Sequence, residues 1–95
     1  MTTTVIAKFT PATEKRPELA ALLSGMLGPT RAEPGCQLYD LYAAGDDFVL
    51  LERYDDQAAL DAHRQTEHYR AYRGRLADLL AKPVDVTTLQ PVATT

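Results

Sequence analysis

Residues 36–54, CQLYDLYAAGDDFVLLERY, carry two strand patterns around Ala44-Gly45-Asp46, and each pattern is apolar on both of its faces. Successive side chains of a strand point to opposite sides. Leu38, Tyr42, Val49 and Leu51 therefore share one side, and Tyr39, Leu41, Phe48 and Leu50 share the other. A Gly-containing turn between adjacent strands makes a β-hairpin. An antiparallel sheet with one solvated face has polar residues at every second position, and this hairpin does not. The fold must cover its sheet on both sides.

The rest of the chain offers a cover for only one. Residues 4–9 (TVIAKF) alternate and are β-branched, with Pro11 behind them, and read as a strand. Pro17 suits the first turn of a helix. Leu19, Leu22, Leu23, Met26 and Leu27 follow at helical spacing until Glu33-Pro34-Gly35 ends the segment. Asp55 and Asp56 are N-cap candidates for a helix through Ala58, Ala59, Leu60, Ala62 and His63. Thr66 can cap a second segment bearing Tyr69, Tyr72, Leu76, Leu79 and Leu80, which Lys82-Pro83 stops. Residues 84–89 (VDVTTL) form a last strand. The order β-α-β-β-α-(α)-β is that of an α+β, ferredoxin-like split βαβ fold, a four-stranded antiparallel sheet with helices on one face. The uncovered apolar face predicts an interaction surface, and a second copy packed sheet to sheet predicts a homodimer.

Ninety-five residues make one domain, 1–95 with a core of about 3–92, and a chain this size buries roughly 60–68% of its unfolded surface. A hydrophobic content of 45% with 24% charged residues excludes disorder. The net charge of −3 and scattered Lys and Arg give no footprint for nucleic acid or an anionic membrane. Cys36 is the single cysteine, which excludes an internal disulfide and a cysteine metal cluster; it is expected to pack as a small hydrophobe. MTTTVIAKFTP lacks the basic and apolar regions of a secretory signal, and no window approaches ~18 consecutive apolar residues. The expected location is the cytoplasm.

Glu33-Pro34-Gly35-Cys36, Tyr39, Phe48-x-Leu50-x-Glu52-x-Tyr54, Ala59-Leu60-x-Ala62-His63, Thr66-x-His68 and Leu89-x-Pro91 together resemble the antibiotic biosynthesis monooxygenase family. The resemblance implies a dimeric α+β barrel. It also implies a set of activities: cofactor-independent oxidation of quinols or polyketide phenols, haem degradation, or processing of small signalling molecules such as autoinducer-2. The haem-degrading branch is disfavoured, because the chain has no Trp and residues 55–80 have no Asn.

A cofactor-free oxygenase needs a base to form an electron-rich substrate anion, polar groups to hold that anion, and an apolar pocket that excludes water. Imidazole suits the base, since it titrates near working pH. His63 lies four residues past Ala59 and three past Leu60 and shares their inward face. It is either a base or substrate anchor, or a core-edge histidine satisfied by a backbone carbonyl or by Glu52. Glu52 shares a face with Phe48, Leu50 and Tyr54. A two-residue turn at Gly45-Asp46 would set Tyr39 directly across from it. A half-buried carboxylate must find a donor or raise its pKa, so Glu52 is expected to bond Tyr39 or an arginine, within the chain or across a dimer, or else to orient a catalytic histidine.

His68, Tyr69, Tyr72 and Tyr39 are candidate substrate-binding residues, each with a structural alternative at a helix start or in the core. No metal site is assigned: on one continuous helix His63 and His68 would point ~140° apart, and no HExxH pattern exists. Asp40 and Arg53 are read as an ion pair on the opposite face. Arg64, Arg70, Arg73 and Arg75 are read as a solvated helix face, with one available to anchor an anion. The leading expectation is a dimeric, cofactor-independent monooxygenase for a small aromatic quinol or phenolic polyketide, with molecular oxygen as co-substrate. His63 and Glu52 would be its catalytic residues. The competing expectations are a non-oxidative binder or isomerase of the autoinducer-2-processing type, and a structural dimer whose pocket has closed.

Overall fold

A computed structural model of the protein describes residues 1–94. Strand β1 (Thr3–Phe9) leads into helices α1 (Arg16–Gly25) and α2 (Leu27–Arg31), then into the hairpin β2 (Cys36–Ala44) and β3 (Asp47–Tyr54). Helices α3 (Gln57–His63) and α4 (Glu67–Leu76), a 3-10 turn (Ala77–Leu79) and strand β4 (Asp85–Leu89) complete the chain. The sheet order is β2-β3-β1-β4 with every pair antiparallel. Each helical connection thus skips over one strand, which is the split βαβ, ferredoxin-like arrangement. The sheet is open, and among the described residues no helix is long and apolar enough to cross a membrane.

The hairpin closes as its sequence predicts. Ala44 pairs with Asp47 around a two-residue turn, and Gly45 takes φ 62°. A left-handed residue at the first central position is the type II′ pattern, which suits glycine. The resulting register sets Tyr39 opposite Glu52 and Leu41 opposite Leu50.

The helices lie on the Tyr39 and Leu50 side. Phe9, Leu19, Leu23, Tyr39, Leu50 and Leu76 are all buried in the main cluster there, and a second cluster gathers Val5, Tyr54 and Leu60. Cys36 packs against both clusters as a small apolar residue. On the opposite side Ile6, Leu38, Val49 and Leu51 stay half-buried, and Tyr42 is 54% exposed. That face has no cover among the described residues.

The Asp40–Arg53 ion pair does not form. A bulge between Cys36 and Leu38 shifts the β2–β3 register and places Gln37 beside Arg53, whose Nε donates to Gln37 Oε1 at 2.9 Å. Asp40 instead accepts from Arg31 at 3.0 Å.

Both helix starts use the predicted caps. The Asp56 side chain accepts from Ala59 N at 2.9 Å and Thr66 Oγ1 from Tyr69 N at 3.2 Å. The Thr66 hydroxyl also donates to the His63 carbonyl at 2.7 Å, so one residue ends α3 and begins α4.

The loop before β2 touches the start of α3 at Gly35, where a Cβ would overlap the Ala59 methyl. Asp55 N donates to Gly35 O at 2.9 Å and holds the approach. Gly35→Ala is therefore expected to destabilise the fold by about 1–3 kcal/mol, read as a lower urea midpoint. An unchanged midpoint would mean that α3 retreats without cost.

Candidate functional site

His63 ends α3 with only 2% of its side chain exposed. Its ring stands among Tyr39, Tyr54 and Tyr69, with centroids 5.9, 5.4 and 5.1 Å away. A buried imidazole needs hydrogen-bond partners, and the partner here is Glu33, from the loop after α2. Its two carboxylate oxygens lie 3.1 and 2.8 Å from His63 Nδ1, and the nearer one is also 2.6 Å from His68 Nε2. The expected partners of His63, a backbone carbonyl or Glu52, are replaced by this carboxylate.

Geometry sets the tautomers. A carboxylate accepts, so each ring nitrogen facing Glu33 donates its N–H. A neutral His63 then keeps its lone pair on Nε2, for which no hydrogen-bond partner is found among the described residues.

Glu52 sits on β3, directly opposite Tyr39 and 7% exposed. Its donor is neither Tyr39 nor an arginine but Tyr54, two residues along the same strand face, whose hydroxyl donates at 2.8 Å. Burial pushes the Glu52 carboxyl up to about 7; the Tyr54 hydrogen bond and the Arg64 charge offset part of that, and the Glu33 charge adds to it. Burial, reinforced by the nearby Glu52 charge, pushes the Tyr39 and Tyr54 hydroxyls well above their ordinary value, and Tyr72 likewise. For His63 burial acts downward and wins over the hydrogen bond and charge of Glu33, which act upward.

These groups line a cavity of about 40 Å³ between helices and sheet, walled by Tyr39, Glu52, His63, Arg64, Tyr69 and Tyr72. That is room for a water or two. It adjoins an open groove of about 380 Å³ lined by Leu76, Leu80, Lys82 and Pro83, with Arg73 and Val84 common to both. The groove falls in the size range of small-molecule sites.

Comparison with known proteins gives the family of the chain. A family profile described as "Antibiotic biosynthesis monooxygenase" matches residues 2–75. The chain belongs to that family. Rv0793 of Mycobacterium tuberculosis is 51% identical over 90 residues, spanning 93% of this chain and 89% of that protein. YcnE of Bacillus subtilis is 36% identical over 76 residues, 77% of this chain and 80% of YcnE. The solved structure of Rv0793 superposes with a TM-score of 0.96 at 47% identity, covering 99% of this chain and 98% of that one. PA3566 of Pseudomonas aeruginosa gives 0.91 at 33% identity, covering 97% and 95%.

Five of the six sequence-predicted residues, His63, Glu52, Tyr39, Tyr69 and Tyr72, meet at the cavity. His68 does not line it; it stands on the far side of Glu33, 26% exposed. The helical break at residues 64–66 removes the premise of the 140° separation, and both histidines converge on Glu33. Arg64 and Arg73 face the cavity instead of forming a purely solvated stripe. Glu33 and Tyr54 are the members that spacing alone missed, whereas Arg64 was one of four arginines offered as an anchor for an anion. Glu33 and Tyr54 do stand inside the family motifs.

The displaced Glu52 carboxyl has a consequence for stability. Its folded value lies above the ordinary 4.5, so between roughly pH 5 and 7 the folded chain keeps a proton that the unfolded chain has lost. Stability then falls as pH rises through that window, by up to about 1.4 kcal/mol per unit. His63 is displaced the other way and acts below its ordinary 6.5. Subtracting the urea-denaturation profile of Glu52→Gln isolates the Glu52 contribution. The difference should move against the wild type from pH 5 to 7, and a flat difference would mean that Glu52 ionises as an ordinary carboxyl.

Proposed function

We propose that this protein is a cofactor-independent monooxygenase acting, as a homodimer, on a small aromatic quinol or phenolic polyketide. The observation that carries the reading is the Glu33–His63 hydrogen bond, which fixes Nδ1 as donor and leaves Nε2 as a base beside the cavity. Nε2 takes the phenolic proton, and Glu33 stabilises the imidazolium that forms. The substrate anion gives electrons to oxygen and is held by Arg64 or Arg73. One oxygen atom enters the substrate and the other leaves as water; the substrate gives up two hydrogens and supplies all four electrons that dioxygen accepts, so no external reductant is needed. Glu52, titrating near neutrality, suits a proton donor to the departing oxygen. The aromatic body would rest in the apolar groove, with its reacting edge toward the cavity.

A second reading draws on the same pair. A base and a neutral acid across one small cavity also suit a proton-transfer isomerisation of the autoinducer-2-processing type, without oxygen. The adjoining groove of about 380 Å³ counts against a pocket that has closed, whereas the cavity itself has room only for water.

Oxygen uptake with reduced naphthoquinols and anthrones separates these readings. Uptake is expected, and His63→Ala should lower kcat by about 10²–10⁴-fold. Absence of uptake at every pH from about 6 to 9, around the imidazole range, removes the oxygenase reading. Unchanged kinetics in His63→Ala removes that residue from the mechanism.

The homodimer reading rests on the apolar outer face of the sheet. Leu51→Asp should convert a dimer into a monomer of native helix content, seen by light scattering and circular dichroism. A Leu51→Asp dimer would place the interface elsewhere.

A further inference from the structure

We propose that Glu33, His63 and His68 form a binding site for a divalent transition metal, with zinc as its occupant. The Glu33 carboxylate, His63 and His68 each offer one ligand atom, and the three atoms lie within 4.8 Å of one another. They come from three segments: the loop after α2, the end of α3 and the first turn of α4. Two imidazoles and one carboxylate suit zinc and its mid-row neighbours, whereas magnesium and calcium favour oxygen shells.

The burial is graded as such a site requires. His63 is sealed, while Glu33 at 13% and His68 at 26% exposure open a path for the ion and leave a coordination position for water. Tetrahedral zinc, with bonds of about 2.0–2.1 Å, sets its ligand atoms about 3.3 Å apart. The widest separation must therefore close by at most about 1.5 Å, within reach of side-chain rotation at the partly exposed His68. The Glu33 charge offsets that of Arg64, which also acts on His63.

Binding changes the histidines in a defined way. Without metal the nitrogens facing Glu33 carry the protons. A metal takes the lone pairs of those same nitrogens, so each proton passes through solvent to the other ring nitrogen and the neutral rings lose none. For His63 the proton arrives on Nε2. The nitrogen beside the cavity turns from acceptor into donor, and base catalysis stops. This inhibitory consequence rests on the proposed function; the binding itself does not.

The full chain, freed of metal with a chelator, is titrated with zinc chloride by calorimetry, and with cobalt(II) by visible absorption. One ion per chain at about micromolar affinity is expected. Glu33→Gln and His68→Ala should each weaken it at least about tenfold; His68 is partly exposed, so its variant should retain the fold. No binding by the wild type, or equal binding by both variants, overturns the site. In nitrogen-15 spectra of the imidazoles, zinc should move the His63 proton from Nδ1 to Nε2, and a proton remaining on Nδ1 in the zinc-loaded chain overturns it as well. Zinc binding by a chain that consumes no oxygen supports the site and removes the oxygenase reading. Oxygen uptake by a chain that binds no zinc does the reverse.

Discussion

The Glu33 carboxylate is the interaction on which the site depends. It is the acceptor for two imidazoles that belong to different helices, and it comes from neither helix. Without it the Nδ1–H of a ring almost wholly removed from water would lose its partner, at a cost of about 1–3 kcal/mol. The position of Glu33 is itself over-determined. Its N–H donates to Thr30 O, its carbonyl accepts from Cys36 N, and the next turn is pressed onto Ala59 at Gly35. A loop fixed at three points behaves as a rigid element. That rigidity lets one tautomer of His63 persist.

Much of the fold was legible because it follows from periodicity and turn chemistry. The alternation in residues 36–54 and the Gly45 turn determine the hairpin register, and that register sets Glu52 opposite Tyr39. The caps at Asp56 and Thr66 follow from short polar side chains placed before amphipathic runs. Long-range partners were less legible. Glu33 lies 30 residues from His63 and 35 from His68 in the chain, and no local pattern encodes that approach. The donor to Glu52 was misjudged for a different reason. Cross-strand neighbours drew the expectation to Tyr39, whereas Tyr54, two residues along the same face, reaches back with its hydroxyl. Asp40 and Arg53 failed to pair because each has another partner: Arg53 donates to Gln37, which the bulge sets beside it, and Asp40 accepts from Arg31, and a bulge leaves little mark in a hydrophobic pattern.

The break between α3 and α4 carries the largest functional consequence of any local feature. A continuous helix would turn His68 away from His63. Thr66 interrupts it by bonding the His63 carbonyl and then capping the next helix. The same residues 64–66 carry Arg64 to the cavity wall. A single hydroxyl thus sets where two histidines and one guanidinium point.

The site also divides the interior. The main cluster ends at Tyr39 and Tyr72, the second gathers Val5, Tyr54 and Leu60, and His63 stands between Tyr39 and Tyr54 where the two meet. Glu52 and His63 occupy positions that apolar side chains would fill in a chain selected for stability alone. For 95 residues this is a large concession, because small domains bury a limited fraction of their surface. The apolar side chains left half-covered on the outer face of the sheet are the counterpart of that concession. Burying Leu51, Val49 and Tyr42 against a second copy would return hydrophobic stabilisation on the very strands that hold Glu52 and Tyr39. A polar interior on one side of the sheet and an uncovered apolar surface on the other are therefore one arrangement. The strand that carries the carboxyl to the cavity is the strand that the partner would secure.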